Sequence, residues 1–191
     1  QQLRDHATGA EQISRQWRKV QSGSATGKFT LVREGVFTGK QAQQIHFVSG
    51  QGEWGLDNAG LHRWGINLVA GKPYEGILRI KSDCARTIQV SLRGANGTLL
   101  AEQVLKLEAK PGEYQRLAFT LTPKAADARG RFALLLNRPG TITVDYAFLQ
   151  PGDWGRFRGQ PVRKEFAEAL LRQGVKTMRY NGSMVNKCPD G

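Results

Sequence analysis

The sequence predicts a mainly β protein, a jelly-roll or galactose-binding-like β-sandwich with a short C-terminal helix–strand appendage. Three observations predict it. Runs of six to eleven residues with period-two hydrophobicity recur at regular spacing from Trp17 onward. Turn pairs rich in Gly, Pro and Asn punctuate them, drawn from 23 glycines and 7 prolines. After Pro151-Gly152 the period changes from two to that of a helix.

Residues 1–15 (QQLRDHATGAEQISR) show no period and are expected to form a flexible N-terminal segment. The sandwich is expected over 16–153. Lys28–Arg33 places Phe29 and Leu31 on one face, and Gln44–Ser49 places Ile45 and Phe47 together. In Leu61–Val69, read as a strand, Trp64 shares a face with Ile66 and Leu68. Tyr74–Lys81, Thr87–Arg93, Gly97–Leu107, Tyr114–Leu121, Arg131–Asn137 and Thr141–Leu149 complete the series. Nine or so such strands indicate stacked antiparallel sheets rather than a parallel α/β layer. Residues 154–191 read as a linker, a helix and one strand. Pro161 suits the first turn, Val162, Phe166, Ala169 and Leu170 recur at helical spacing, and Gly174 suits the stop. Val175–Tyr180 reads as the strand. One helix and one strand do not make an α/β layer, so the tail reads as the opening of a second domain, with the chain a fragment.

Composition excludes several classes. The 191 residues are 39% hydrophobic and 23% charged, enough for a packed core and against disorder. No apolar run approaches the ~20 residues of a bilayer span, so no membrane partner is expected. The start has no basic–apolar–small leader; the chain reads as a mature one, expected outside the cell or in the periplasm. His6, His46 and His62 fit no metal-ligand spacing, and Cys84 and Cys188 are read as unrelated thiols. No cofactor is required. The net charge of +12 is concentrated towards the end, where residues 154–191 hold 8 basic and 3 acidic side chains. Trp154-Gly155-Arg156-Phe157-Arg158-Gly159 interleaves aromatics with arginines, a pattern able to stack bases, but no single-strand recognition motif accompanies it. Nucleic acid is therefore not the expected partner.

Glycoside hydrolysis needs two carboxylates flanking the scissile bond. After residue 153 the acids are Glu165, Glu168 and Asp190, and the first two fit a solvated helix face, so no catalytic residue is assigned in this chain. Trp54 and Trp64 bracket a Gly- and Asn-containing stretch (WGLDNAGLHRW) and are candidate platforms for a sugar ring, with Asn58 and His62 to orient it. Trp54, between Gly52 and Gly55, is expected to be the more open; the strand reading counts towards burial of Trp64. Asp145, within the apolar TITVDYAF run, is a candidate ligand for a structural Ca2+ or an acceptor for neighbouring backbone, unless its face is simply solvated.

Two stretches resemble glycoside hydrolase family 51 α-L-arabinofuranosidases. Asn58–Tyr74 (NAGLHRWGINLVAGKPY) is similar to the family's N-x-G-aromatic-x-G segment followed by G-x-x-Y. Thr143–Pro151, Pro161–Leu170 (PVRKEFAEAL) and Thr177–Ser183 (TMRYNGS) resemble the last sandwich strand, the following helix and the first barrel strand. Asn181 stands where the family has proline, Ser183 where it has its second glycine, and Lys187 where glutamate is common. The resemblance implies a carbohydrate-binding-module-like domain, related in style to module families 4 and 9, preceding a (β/α)8 catalytic barrel that this chain lacks. It implies a sugar-side role for Arg179, and a plant-type polysaccharide or oligosaccharide as partner. The function expected is a non-catalytic carbohydrate-binding-like module of a secreted polysaccharide-degrading hydrolase; the alternatives are a structural domain packed on the barrel, or a basic nucleic-acid binder.

Overall fold

The computed structural model describes residues 7–8, 12–14, 16–108, 110 and 112–177. Short strands follow one another in the order β1 (Ala7–Thr8), β2 (Ile13–Ser14), β3 (Trp17–Gln21), β4 (Thr26–Val32), β5 (Ala42–Ser49) and β6 (Trp54–Asn58). A 3-10 turn at Leu61–Arg63 precedes β7 (Ile66–Leu68), β8 (Tyr74–Ser82), β9 (Thr87–Arg93), β10 (Leu99–Lys106) and β11 (Gln115–Leu121). The long strands β12 (Asp127–Leu136) and β13 (Gly140–Pro151) end the sandwich. Residues from Asp153 onward form a second compact unit, with β14 (Arg156–Phe157), β15 (Gln160–Arg163) and helix α1 (Lys164–Arg172).

Two antiparallel sheets carry the first unit. One has the order β10-β9-β12-β6-β3, with β7 added to β12; the other has five strands in the order β11-β8-β13-β5-β4. The expected sandwich is therefore present. Alternation explains the division of faces: along β8, Tyr74, Gly76, Leu78, Ile80 and Ser82 are buried while the residues between them are half-exposed. Aromatic pairs join the sheets through the core. Phe29 of β4 stacks on Trp54 of β6 at 4.9 Å, and Phe119 of β11 stacks on Phe132 of β12 at 5.7 Å. Gly76 leaves the space that the Phe119 ring fills, since a Cβ there would run into it.

Three expectations are corrected. The described part of 1–15 is anchored: Ile13 and Ser14 are buried, and the Ser14 N–H donates to Gln43 Oε1 at 2.9 Å. Leu61–Val69 is not one strand, because His62 and Arg63 both take positive φ and only Ile66–Leu68 pairs with β12. In the tail Pro161 lies in β15, where residues Arg156–Arg163 form a small hairpin, and the helix starts later, at Lys164. Its end is as expected: Gly174 has φ +74°, its N–H bonds Leu171 O at 2.9 Å, and Val175 N–H bonds Leu170 O at 3.1 Å, a Schellman closure. Val175–Thr177 forms no strand, and the rest of that expected strand lies outside the described residues.

Candidate functional site

The first candidate region is the turn after β6. Asn58 Oδ1 accepts the Gly60 N–H at 2.7 Å, so this side chain shapes its own turn. The Gly65 N–H closes the loop on Ala59 O at 2.8 Å, and Gly65, at φ +105°, passes so close to the Arg129 backbone that a side chain would not fit. Asp57, only 5% exposed, holds the turn from below: Arg63 Nη2 lies 2.8 Å from Oδ1 and Arg131 Nη1 3.3 Å from Oδ2. Two neighbouring residues, His62 and Arg63, are thereby kept in the left-handed region, a conformation held against local preference by its surroundings. The result is a fixed tip. Trp64 is 74% exposed and Leu61 59% exposed, with the His62 ring 5.2 Å from Trp64.

The order expected for the two tryptophans is reversed. Trp54 is 4% exposed, stacked on Phe29 inside the sandwich, and cannot reach a sugar. Gly52 turns the chain at φ +119°, while Gly55 lies within β6 against the Leu134 backbone, and neither opens the ring to solvent. Trp64 is exposed because the positive-φ residues break the alternation that would have buried it beside Leu68. Arg179 lies outside the described residues, as does Cys188; Cys84 is exposed and free.

Asp145 is neither solvated nor part of an acidic cluster. It is 3% exposed, and its carboxylate accepts the N–H groups of Phe37 at 2.7 Å and Thr38 at 3.1 Å. Among the described residues no group of three or more His, Cys, Asp or Glu side chains is placed to hold a metal ion. Asp145 thus accepts from neighbouring backbone, pinning the segment between β4 and β5. Phe37 then packs against Tyr114 at 5.9 Å and under the Arg79 guanidinium at 4.7 Å, while Lys81 Nζ sits 5.0 Å from the Tyr114 ring. The Tyr114 hydroxyl is buried near the Asp145 carboxylate without a full hydrogen bond of its own. Burial first, and that negative charge second, push the phenol up to about 12.

Sequence reasoning missed the broader surface on which this cluster lies, the outer face of the five-stranded sheet. Its position follows from a bulge. Along β13, Val144 pairs with Ile80 and points inward, Asp145 is the extra residue, and Tyr146 pairs with Arg79 and points outward. From there Tyr146, Phe148 and Gln150 share the outer face with Arg79, Ile77 and Glu75 of β8. Tyr146 and Phe148 are half-buried, with ring centroids 6.3 Å apart and planes 14° apart. Next to them an open groove of about 710 Å³ crosses the β11 edge, lined by Glu75, Ile77, Glu102, Gln103, Arg116 and Phe148 among others. This combines an aromatic shelf with carboxylate, amide and guanidinium groups on a rigid sheet, an arrangement suited to a flat, hydroxyl-rich ligand. The outward residues of YEGILRIK and QRLAFT were the available signal: Glu75, Arg79, Lys81 and Arg116 are four charges at alternate positions, with Thr120 on the same face.

The architecture defines a class: a carbohydrate-binding-module-like β-sandwich. The fold resembles a solved CBM4 structure at a TM-score of 0.51 and 22% identity, covering 71% of this chain and 86% of that one. No family model matches the sequence. The homologues of this chain are α-L-arabinofuranosidases. Alpha-L-arabinofuranosidase 1 of Arabidopsis thaliana is 29% identical over 121 residues, 62% of this chain, and an extracellular exo-alpha-L-arabinofuranosidase of Streptomyces chartreusis is 29% identical over 132 residues, 69% of it. The chain spans only 18% and 15% of the length of these two relatives. The structure of an arabinose-bound MgGH51 α-L-arabinofuranosidase matches 88% of this chain and 28% of its own, at a TM-score of 0.74 and 20% identity. The resemblance to family 51 enzymes thus holds both in sequence and in fold.

Proposed function

We propose that this chain is a non-catalytic, carbohydrate-binding-like module of a secreted polysaccharide-degrading glycoside hydrolase, and that sugar binds on the outer face of the five-stranded sheet. The observation that carries the reading is the Tyr146–Phe148 shelf beside a groove rich in hydrogen-bonding side chains. A pyranose or furanose ring would lay its C–H face on the shelf while its hydroxyls reach Gln150, Glu75 and Glu102. Catalysis is assigned to the part of the enzyme outside this sequence, and the module raises that part's concentration at the polymer. An extracellular relative supports secretion. Electrophoresis through gels containing arabinoxylan, arabinan or xylan tests the reading. Retardation that Phe148→Ala removes, with the fold intact, supports it; migration unchanged in all three polymers overturns it.

A second reading has its own observation. The tip exposes two large apolar side chains, Leu61 and Trp64, on a rigidly held turn, as a contact for a neighbouring domain of the same enzyme would. In that case the sandwich is structural and the sugar face is idle. Trp64→Ala in the complete enzyme then lowers its melting temperature, whereas on the sugar-binding reading it does not.

A further inference from the structure

Arg79 and Arg116 stand directly opposite one another in the β8–β11 ladder, both on the outer face. Like charges in that position repel and weaken a sheet. Among the described residues no ion pair joins Arg79, Arg116 or Lys81 to a carboxylate. The nearest buried acid, Asp145, is occupied by two backbone N–H groups. Lys81 and Arg79 lie against the rings of Tyr114 and Phe37, which hold them in place while leaving their charge unneutralised. One end of the sugar face is therefore a fixed cationic corner.

The other end has the opposite sign. Glu75 and Glu102 line the groove there, Glu102 accepting from Gln89 Nε2. Glu75 and Arg79 are four positions apart on β8, a span of ~13 Å, so that two or three sugar rings would bridge the two ends across the Tyr146–Phe148 shelf. We propose that the Arg79–Arg116 corner binds the carboxylate of a uronic acid, so that the module's ligand is a uronate-bearing polysaccharide. The inference rests on the sugar-binding reading above and specifies its substrate class. Guanidinium groups match a carboxylate with two parallel hydrogen bonds, and two of them flanking one site favour an anion strongly. The acids at the far end discriminate against a nucleic acid. A continuous phosphate chain would have to pass Glu75 and Glu102, whereas a glycan with isolated carboxylates presents neutral hydroxyls to them.

The test compares three probes in the same affinity gel: arabinoxylan bearing glucuronic acid, the same polymer after chemical reduction of its carboxyl groups, and a single-stranded DNA oligonucleotide. The expected result is tightest binding to the native polymer, with affinity about tenfold lower for the reduced one. Arg116→Gln, on an exposed edge-strand position, is expected to erase that difference while keeping the melting temperature. Arg79→Gln serves as a second variant, its folding checked because Phe37 rests on it. Equal binding of native and reduced polymer overturns the uronate assignment and leaves the sugar-binding reading standing. Binding to none of the probes removes both. Tighter binding of the oligonucleotide, with the same dependence on Arg116, overturns the assignment in favour of a nucleic acid.

Discussion

Val144 and Tyr146 are two residues apart on one strand yet face opposite sides of the sheet, because Asp145 between them is a bulge. The bulge is held from outside by the Phe37 and Thr38 N–H groups. One buried carboxylate thus decides that Tyr146 and Phe148 look outward and that the β4–β5 connection closes over Tyr114.

Removing that carboxylate should cost stability and order together. Asp145→Ala strands two backbone donors, and hydrogen bonds to a charged acceptor are worth about 1.5–3 kcal/mol. A fall of about that size in denaturant-derived stability is expected, with faster amide exchange at Phe37 and Thr38. Unchanged exchange at these two amides would show that the bulge does not depend on Asp145.

The tryptophans give opposite outcomes. Trp54→Ala empties a position inside the sandwich and is expected to cost about 3–5 kcal/mol. Trp64→Ala, at a solvent-facing tip, should alter the isolated chain's stability by less than about 0.5 kcal/mol. Thermal melts of the two variants check this, and comparable losses in both would contradict the burial assigned to them.

Alkaline pH should weaken the fold through Tyr114. Its phenol is held neutral up to about 12 in the folded chain, against an ordinary value of 10.0. Between those values the unfolded chain has released the proton while the folded chain keeps it. The stabilisation is therefore complete below pH 10 and is lost as pH rises towards about 12. Tyr74 adds to the same trend, its phenol raised by burial and partly lowered again by the Val69 N–H bond. Absorbance titration of tyrosinate should show a late-titrating phenol that disappears in Tyr114→Phe and moves to lower pH in Asp145→Asn.

Helix α1 should open before the sheets do. None of its side chains is fully buried, and Phe166 and Leu171 are exposed. Nine residues are too few for a helix to be stable without packing. Hydrogen exchange is expected to be fast across Lys164–Arg172 and slow in β8 and β13; equal protection in a monomeric sample would contradict this.

Period-two hydrophobicity and turn residues were enough to predict the sandwich, because alternation along a half-buried strand is a local property of the chain. Tyr74–Ser82 shows it plainly, as do Phe29 and Ile45 meeting in the core. The Schellman stop at Gly174 was equally local. The candidate site was not. Which tryptophan faces water depended on positive φ at His62 and Arg63, held by Asp57 and Arg131, residues distant in sequence from one another. Which face of β13 carries its aromatics depended on one bulged residue and on donors more than a hundred positions away. A sequence states the alternation of a strand, but a single inserted residue reverses it, and only the three-dimensional partners of that residue determine where the reversal falls.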